Sequence, residues 1–111
     1  MNSLADHVDA ELALASEQSD AARCFHHLER AHILSQYSTG DHVRVHVAML
    51  RWARQQRDWR EAVGQIIRIV GAATKTAIGF VPTGNTGGAN VSAIKPMPLP
   101  DDLAAIISHY R

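Results

Sequence analysis

Two short stretches of the chain concentrate side chains that commonly bind transition metals. The first, CFHHLERAH, covers residues 24–32 and contains three histidines, a cysteine and a glutamate. The second, HVRVH, supplies His42 and His46. Imidazole nitrogens, alone or with a carboxylate, are suitable ligands for zinc, copper, nickel and iron. The residue types therefore indicate metal chemistry, provided that the fold brings these side chains together.

Composition limits the class of protein and its partners. The 111 residues support one modest core, so we expect a single helical domain over residues 1–111. Eleven basic residues balance eleven acidic ones, which argues against a nucleic-acid partner, because such binders need excess positive charge. The single cysteine excludes an internal disulfide and fits a cytoplasmic location. Arg68 and Lys75 interrupt the most apolar region, which argues against a membrane partner.

Helical periodicity predicts an all-α fold with four main helices and a short C-terminal helix. The predicted helices cover residues 3–17, 20–36, 42–56, 59–79 and 101–110. Asp20 is expected to cap the second helix, and Asp101 or Asp102 the last one, by accepting hydrogen bonds from free amides. Gly40 is expected in a left-handed turn, with Asp41 capping the third helix. The fourth helix is apolar on most faces, which predicts a central position.

A weak internal repeat relates two parts of the helical region. An offset of 38 residues aligns Asp20 with Asp58 and Leu28 with Ile66. Each unit is then expected to form a helix, a tight turn at the aspartate and a second helix. The pattern is similar to a tetratricopeptide motif, although that repeat has about 34 residues and needs at least three copies. We therefore predict a compact bundle of two helical hairpins.

The segment of residues 81–100 has a different character, with four prolines and no helical period. Loops longer than about 12–15 residues are uncommon unless they are functional or disordered. Val91, Ile94, Met97 and Leu99 are apolar anchors that disordered segments usually lack. We predict a long ordered loop packed on the bundle, with residues 84–100 closing over one side of the site.

The expected antiparallel packing of the second and third helices brings candidate ligands together. Residues counted equally outward from the turn are neighbours, which places His32 opposite His46. His42 and His46 are four residues apart on one helix face, and Glu29 and His32 are three apart on another. We predict that His32, His42 and His46 bind one transition-metal ion (Zn, Cu, Ni or Fe), with Glu29 or His27 as a fourth or supporting ligand.

The same side chains allow other interpretations. His26 and His27 point to adjacent sides of their helix and cannot both face the site. Cys24 aligns with an alanine in the repeat, which favours packing as a small residue. His32 and His46 could share a hydrogen bond instead of an ion. Without a metal, the chain would be a tetratricopeptide-like interaction module or a homodimer, because a four-helix bundle is not expected to cover all of the apolar fourth helix. An enzyme that uses a histidine–glutamate site under the loop is the last alternative, because the sequence indicates no reaction type.

Four segments together resemble a known family: FHHLERAHIL, HVRVH, GAATKTAIG and GNTGGANVSAIKPMPLP. They are similar to a bacterial domain-of-unknown-function family, numbered 3703, over nearly the whole chain from about Ala5. The resemblance implies a small, single-domain cytosolic protein without an established activity. Its members often occur beside metal-resistance or metal-transport genes, which implies metal handling. The motif positions that it shares are His26, His27, Glu29, His32, His42 and His46. Relatives often lack a cysteine at position 24.

Overall fold

The computed structural model describes residues 2–77, 85–88 and 96–111, without the side chains of residues 72–77. Within these ranges the chain forms five α-helices and no β-strand, which confirms the all-α prediction. The helices are α1 (Leu4–Glu17), α2 (Ala21–Ser35), α3 (Thr39–Gln55), α4 (Trp59–Ala77) and α5 (Asp101–Tyr110). The predicted end of the fourth helix, at residues 78 and 79, lies outside the described ranges. Of the described helices, none has the length and apolar character needed to cross a bilayer.

An aspartate caps the N-terminus of the second helix in each hairpin. Asp20 Oδ2 accepts a hydrogen bond from the backbone amide of Arg23 at 2.9 Å, as predicted. Asp58 Oδ1 accepts from the amide of Glu61 at 3.0 Å. Each carboxylate satisfies an amide that has no partner inside its helix. The two aligned aspartates of the repeat therefore have the same structural role.

The boundary between α2 and α3 differs from the prediction. Ser38, and not Asp41, caps α3, since its Oγ accepts from the backbone amide of Asp41 at 3.4 Å. The helix consequently begins at Thr39, earlier than the predicted His42. Gly40 lies inside the first turn and has no left-handed conformation. The prediction was wrong because a serine hydroxyl one turn earlier provides the same capping bond.

The start of α5 was also predicted incorrectly. Pro100 precedes the helix and no side-chain hydrogen bond caps it. Asp101 and Asp102 instead occupy the first turn, where a negative charge is favourable beside the positive end of the helix dipole. Asp102 also pairs with Arg30 of α2 at 2.5 Å, which fastens α5 to the bundle.

The fold consists of two packed helical hairpins. Helix α1 packs against α2, and α3 against α4, while contacts between α2 and α3 join the hairpins and α5 lies against α1 and α2. The radius of gyration is 12.8 Å, close to the value of about 13 Å for a compact chain of this length. The shared core is apolar and includes Val8, Leu28, Leu34, Val45, Met49 and Leu103. The predicted bundle of two hairpins is confirmed, and the tetratricopeptide likeness stays a prediction.

Helix α4 lies at the side of the described bundle and packs against α3. The prediction of a central fourth helix was therefore wrong. Ala62 and Gln65 are buried, whereas several large apolar side chains of the helix are exposed. Its apolar character thus extends beyond the face that the described bundle covers.

The structure describes residues 85–88 and 96–100 of the predicted loop. Residues 81–84 and 89–95 lie outside the described ranges. Within the described part, Asn85 and Gly87 are buried, and Leu99 packs against the core. The backbone of this part of the segment contacts the candidate ligand His32 on α2 and Gln65 on α4.

Candidate metal centre

Three histidines from two helices meet inside the bundle. His32 lies in the last turn of α2, and His42 and His46 lie one turn apart in the first half of α3. Their exposed fractions are 3%, 7% and 2%. The short connection between the helices makes them antiparallel, which brings His32 opposite His46 as predicted. The three rings therefore form one buried group, hereafter the histidine triad.

The Nε2 atoms of the histidine triad converge on one point. They are separated by 2.9 Å between His32 and His42, 3.1 Å between His32 and His46, and 3.2 Å between His42 and His46. A tetrahedral zinc ion, with nitrogen ligands at about 2.0–2.1 Å, requires ligand separations of about 3.3 Å. The triad would have to open by only a few tenths of an ångström to hold an ion.

The other ring nitrogen of His32 has a fixed role. Its Nδ1 lies 2.7 Å from the backbone carbonyl oxygen of Asn85. A carbonyl oxygen only accepts, so Nδ1 carries the proton and donates it. In the neutral ring, Nε2 then presents a lone pair to the centre of the triad. This is the tautomer that a metal ligand bound through Nε2 requires.

His46 is fixed in the same way by a side-chain amide. Its Nδ1 lies 2.5 Å from Gln65 Oε1. The Gln65 amide has a defined orientation, because its Nε2 donates to Glu61 Oε2 at 2.6 Å and to the Gly87 carbonyl at 2.9 Å. His46 Nδ1 therefore donates, and its Nε2 also presents a lone pair to the triad.

The Nε2 lone pairs of His32 and His46 thus point into a buried space that also contains the His42 ring. A proton on His42 Nε2 can satisfy one of the neighbouring lone pairs well, but a single hydrogen cannot satisfy both His32 and His46 fully. A metal cation would satisfy all three Nε2 atoms at once. The three Nε2 atoms are therefore close enough to one another to hold a metal ion.

Burial favours the neutral form of two histidines of the triad. The pKa of His32 is lowered well below its usual value, first because burial removes the hydration of the imidazolium and then because His46 and His42 are adjacent. Burial likewise lowers the pKa of His46 to about 4. Neutral imidazole is the form that binds metals, so His32 and His46 need not lose a positive charge near pH 7 to act as ligands.

Gly87 packs directly against His32. Its φ is 84°, in the left-handed region. A Cβ at this position would lie 2.5 Å from Cγ and 2.8 Å from Nε2 of the His32 ring. The Asn85 side chain stabilises the turn by accepting the Gly87 amide hydrogen at 2.9 Å. The turn therefore holds His32 from one side and has space for glycine alone.

A family model matches nearly the whole length of the chain. The match extends over residues 2–107, and the model describes a protein of unknown function, DUF3703. The chain belongs to the DUF3703 family. No curated protein and no solved structure matches it. The match confirms the family resemblance of the motifs.

The structure brings together three of the five predicted ligands of the DUF3703 protein. His32, His42 and His46 place their donor atoms within 4.8 Å of one another, and this group includes neither Glu29 nor His27. Glu29 is partly buried, and its pKa is raised first by burial and second by the negative charge of Glu61. The Glu29 carboxyl is therefore close enough to be affected by the charge of Glu61, which is hydrogen-bonded to Gln65, but it is not part of the histidine triad.

His27 belongs to a different polar cluster. Its Nδ1 lies 2.7 Å from Glu11 Oε2 on α1, and Arg30 Nε donates to Glu11 Oε1 at 2.9 Å. These contacts join α1 to α2 and give the buried Glu11 two partners. His26 is exposed, and Cys24 packs beside the core as expected of a small residue.

Three residues that support the triad were not identified from the sequence. Gln65 was a detectable candidate, since it is an uncharged polar residue in a largely apolar helix. Asn85 and Gly87 gave no such signal, because the GNTGGAN segment has no period that relates it to α2. Gly87 has a left-handed backbone conformation and packs against the ring of His32.

We expect Gln65→Leu to weaken zinc binding by about 10- to 100-fold, which is typical when the partner of a ligating histidine is lost. The change removes the acceptor for His46 and the donor to the Gly87 carbonyl, so stability should fall by about 1–3 kcal/mol. Zinc calorimetry and urea denaturation measure the two effects. The matched variant Gln55→Leu, at an exposed position of α3, should change neither. Unchanged zinc affinity in Gln65→Leu would disprove the supporting role.

We expect the metal-free protein to lose stability as the pH falls from about 6.5 towards 4. The folded pKa of His46 is about 4, lowered from 6.5, so in this interval the unfolded chain binds more protons and acid favours unfolding. The difference corresponds to roughly 3 kcal/mol for this histidine. Urea denaturation in the presence of a chelator should show it. The non-titrating His46→Gln variant should have a shallower pH dependence, and an identical dependence would contradict the expectation.

Proposed function

We propose that this DUF3703 protein binds one transition-metal ion through the Nε2 atoms of His32, His42 and His46. The observation that carries the proposal is the convergence of three buried Nε2 atoms within 2.9–3.2 Å. The Nδ1 atoms of two of the rings are held by oxygen acceptors, which direct the lone pairs of Nε2 inward. Such preorganisation is typical of histidine ligands in metal sites.

The donor set selects the class of metal. Three neutral nitrogen donors suit zinc, copper, nickel or iron, whereas calcium and magnesium require oxygen ligands. Three protein ligands leave a coordination position for water or another small ligand. We infer that the protein takes part in handling a transition metal, which agrees with the role implied by its motifs. A cytoplasmic location is part of the proposal, because the single cysteine is free.

Calorimetric titration of untagged, metal-free protein with Zn²⁺, Cu²⁺ and Ni²⁺ tests the proposal. At least one of these ions should bind with a stoichiometry of one per chain and a Kd below about 10 µM. His46→Ala should weaken this binding at least 100-fold. His26→Ala removes an exposed histidine from α2 and serves as the matched control, with unchanged binding. Absence of saturable binding, or equal binding by wild type and His46→Ala, would refute the proposal.

An interaction module or homodimer without metal is the second candidate. The exposed apolar side chains of α4 favour it, because monomeric proteins rarely expose large contiguous apolar patches. The two functions do not compete for the same residues. Gln65 of α4 is buried beside the triad, whereas Ile67 is 65% exposed.

A further inference from the structure

Five large apolar residues form an exposed stripe along α4, hereafter the α4 stripe. The stripe consists of Trp59, Val63, Ile66, Ile67 and Val70, which are 53–68% exposed. Their spacing follows the helical repeat, so the side chains share one face about 16 Å long. The stripe adjoins the buried side of the helix at Ala62. The apolar surface of α4 is therefore continuous from the core to the outside.

The size of the α4 stripe is suited to a small protein interface. From their exposed fractions, the five side chains present on the order of 500–600 Å² of surface, at the upper end of the largest patch on a typical monomer. Two such stripes together bury about 1,100 Å², near the lower limit of about 1,200 Å² for specific interfaces. A second copy of the chain would therefore supply a matching surface, and residues at the rim would complete the area.

The distribution of charge selects the orientation of that second copy. Arg54, Arg57 and Arg60 are exposed near the Trp59 end of the stripe. Parallel helices would place the two arginine groups side by side, which costs energy through repulsion of like charges. Antiparallel helices place them at opposite ends, about 16 Å apart, where salt screens the repulsion.

Antiparallel pairing also matches the side chains of the stripe with one another. Around a two-fold axis near residue 65, Val63 of one copy lies opposite Ile66 of the other, and Trp59 lies opposite Val70. Such a pairing is self-complementary, as a two-fold interface requires. The large Trp59 side chain, 61% exposed, would be covered at each end.

We propose that the α4 stripe is the interface of an antiparallel, two-fold symmetric dimer of this protein. Association through the outer face of α4 would hold the helix on α3, where its buried Gln65 supports His46. The dimer does not require the metal, because no residue of the stripe belongs to the histidine triad.

Sedimentation equilibrium of the full chain in a chelator tests the dimer independently of metal binding. The average mass should rise from 12.1 kDa for one chain towards twice that value between about 5 and 300 µM, as expected for micromolar affinity. Ile67→Glu should weaken the association more than tenfold, because a carboxylate is placed in the centre of the interface. Its helical circular dichroism should equal that of the wild type, since Ile67 is exposed.

Leu14→Glu is the matched control. It introduces the same charge at another exposed apolar position, 40% exposed on α1, and should leave the dimer intact. A wild-type monomer throughout the concentration range would overturn the proposal, as would a dimer that Ile67→Glu leaves unchanged. Flotation of a monomeric protein with anionic phospholipid vesicles would overturn it too, by assigning the stripe to a membrane surface.

Discussion

Gly87→Ala is expected to lower zinc affinity at least 100-fold and to destabilise the metal-free protein. The added Cβ would lie 2.5 Å from Cγ of His32, so the ring must leave its place in the triad. The left-handed φ of 84° adds a cost of about 1–2 kcal/mol for any residue with a side chain. Zinc calorimetry and urea denaturation measure the two losses.

Gly40→Ala is the matched control for this substitution. Gly40 lies in the first turn of α3, and a Cβ there would have no neighbour within 4 Å. Alanine is favoured over glycine in a helix by up to about 1 kcal/mol, so this variant should be as stable as the wild type or more so, with the same zinc affinity. If Gly87→Ala behaved like Gly40→Ala, the turn of residues 85–87 would have no role in the site.

His42→Ala should abolish the stabilisation of the fold by zinc. Zinc at about 100 times its Kd is expected to stabilise the wild type by about 2.7 kcal/mol, because under the proposal the metal binds the folded chain and not the unfolded one. In the variant, two nitrogens 3.1 Å apart remain, and the loss of affinity should exceed the 10- to 100-fold effect of losing a supporting residue. Urea denaturation with and without zinc measures this coupling.

His109→Ala provides the comparison for this experiment. His109 is an exposed histidine in the last turn of α5, so its removal should leave the zinc-dependent stabilisation intact. A His42→Ala variant that zinc still stabilises as strongly as the wild type would show that the ion binds elsewhere.

The sequence was sufficient to predict the triad because its geometry is local. A short turn forces α2 and α3 to be antiparallel, and counting outward from the turn places His32 opposite His46. The four-residue spacing then adds His42 on the same face. This prediction tolerated an error of several residues in the start of α3, since the helical period of the histidines did not change.

The supporting residues depend on contacts between segments that are distant in the sequence. Asn85 and Gly87 lie more than fifty residues after His32, and no periodic pattern determines which part of a glycine-rich segment returns to a helix. For His27, closeness in the sequence was not a sufficient guide to closeness in the fold. Its position beside the other histidines suggested ligation, but Glu11 of α1 supplies a buried carboxylate partner on another face of α2. Pairing between helices therefore decided which nearby histidine joined the triad.

The most direct test of the proposed metal site is X-ray absorption at the zinc edge of the protein after incubation with zinc. We expect one zinc ion per chain, with three imidazole ligands at about 2.0–2.1 Å and one further light ligand. The imidazole signal should be retained in His26→Ala and lost, together with the bound zinc, in His46→Ala. A sulfur ligand at about 2.3 Å, or fewer than three imidazoles on the zinc, would contradict coordination by His32, His42 and His46.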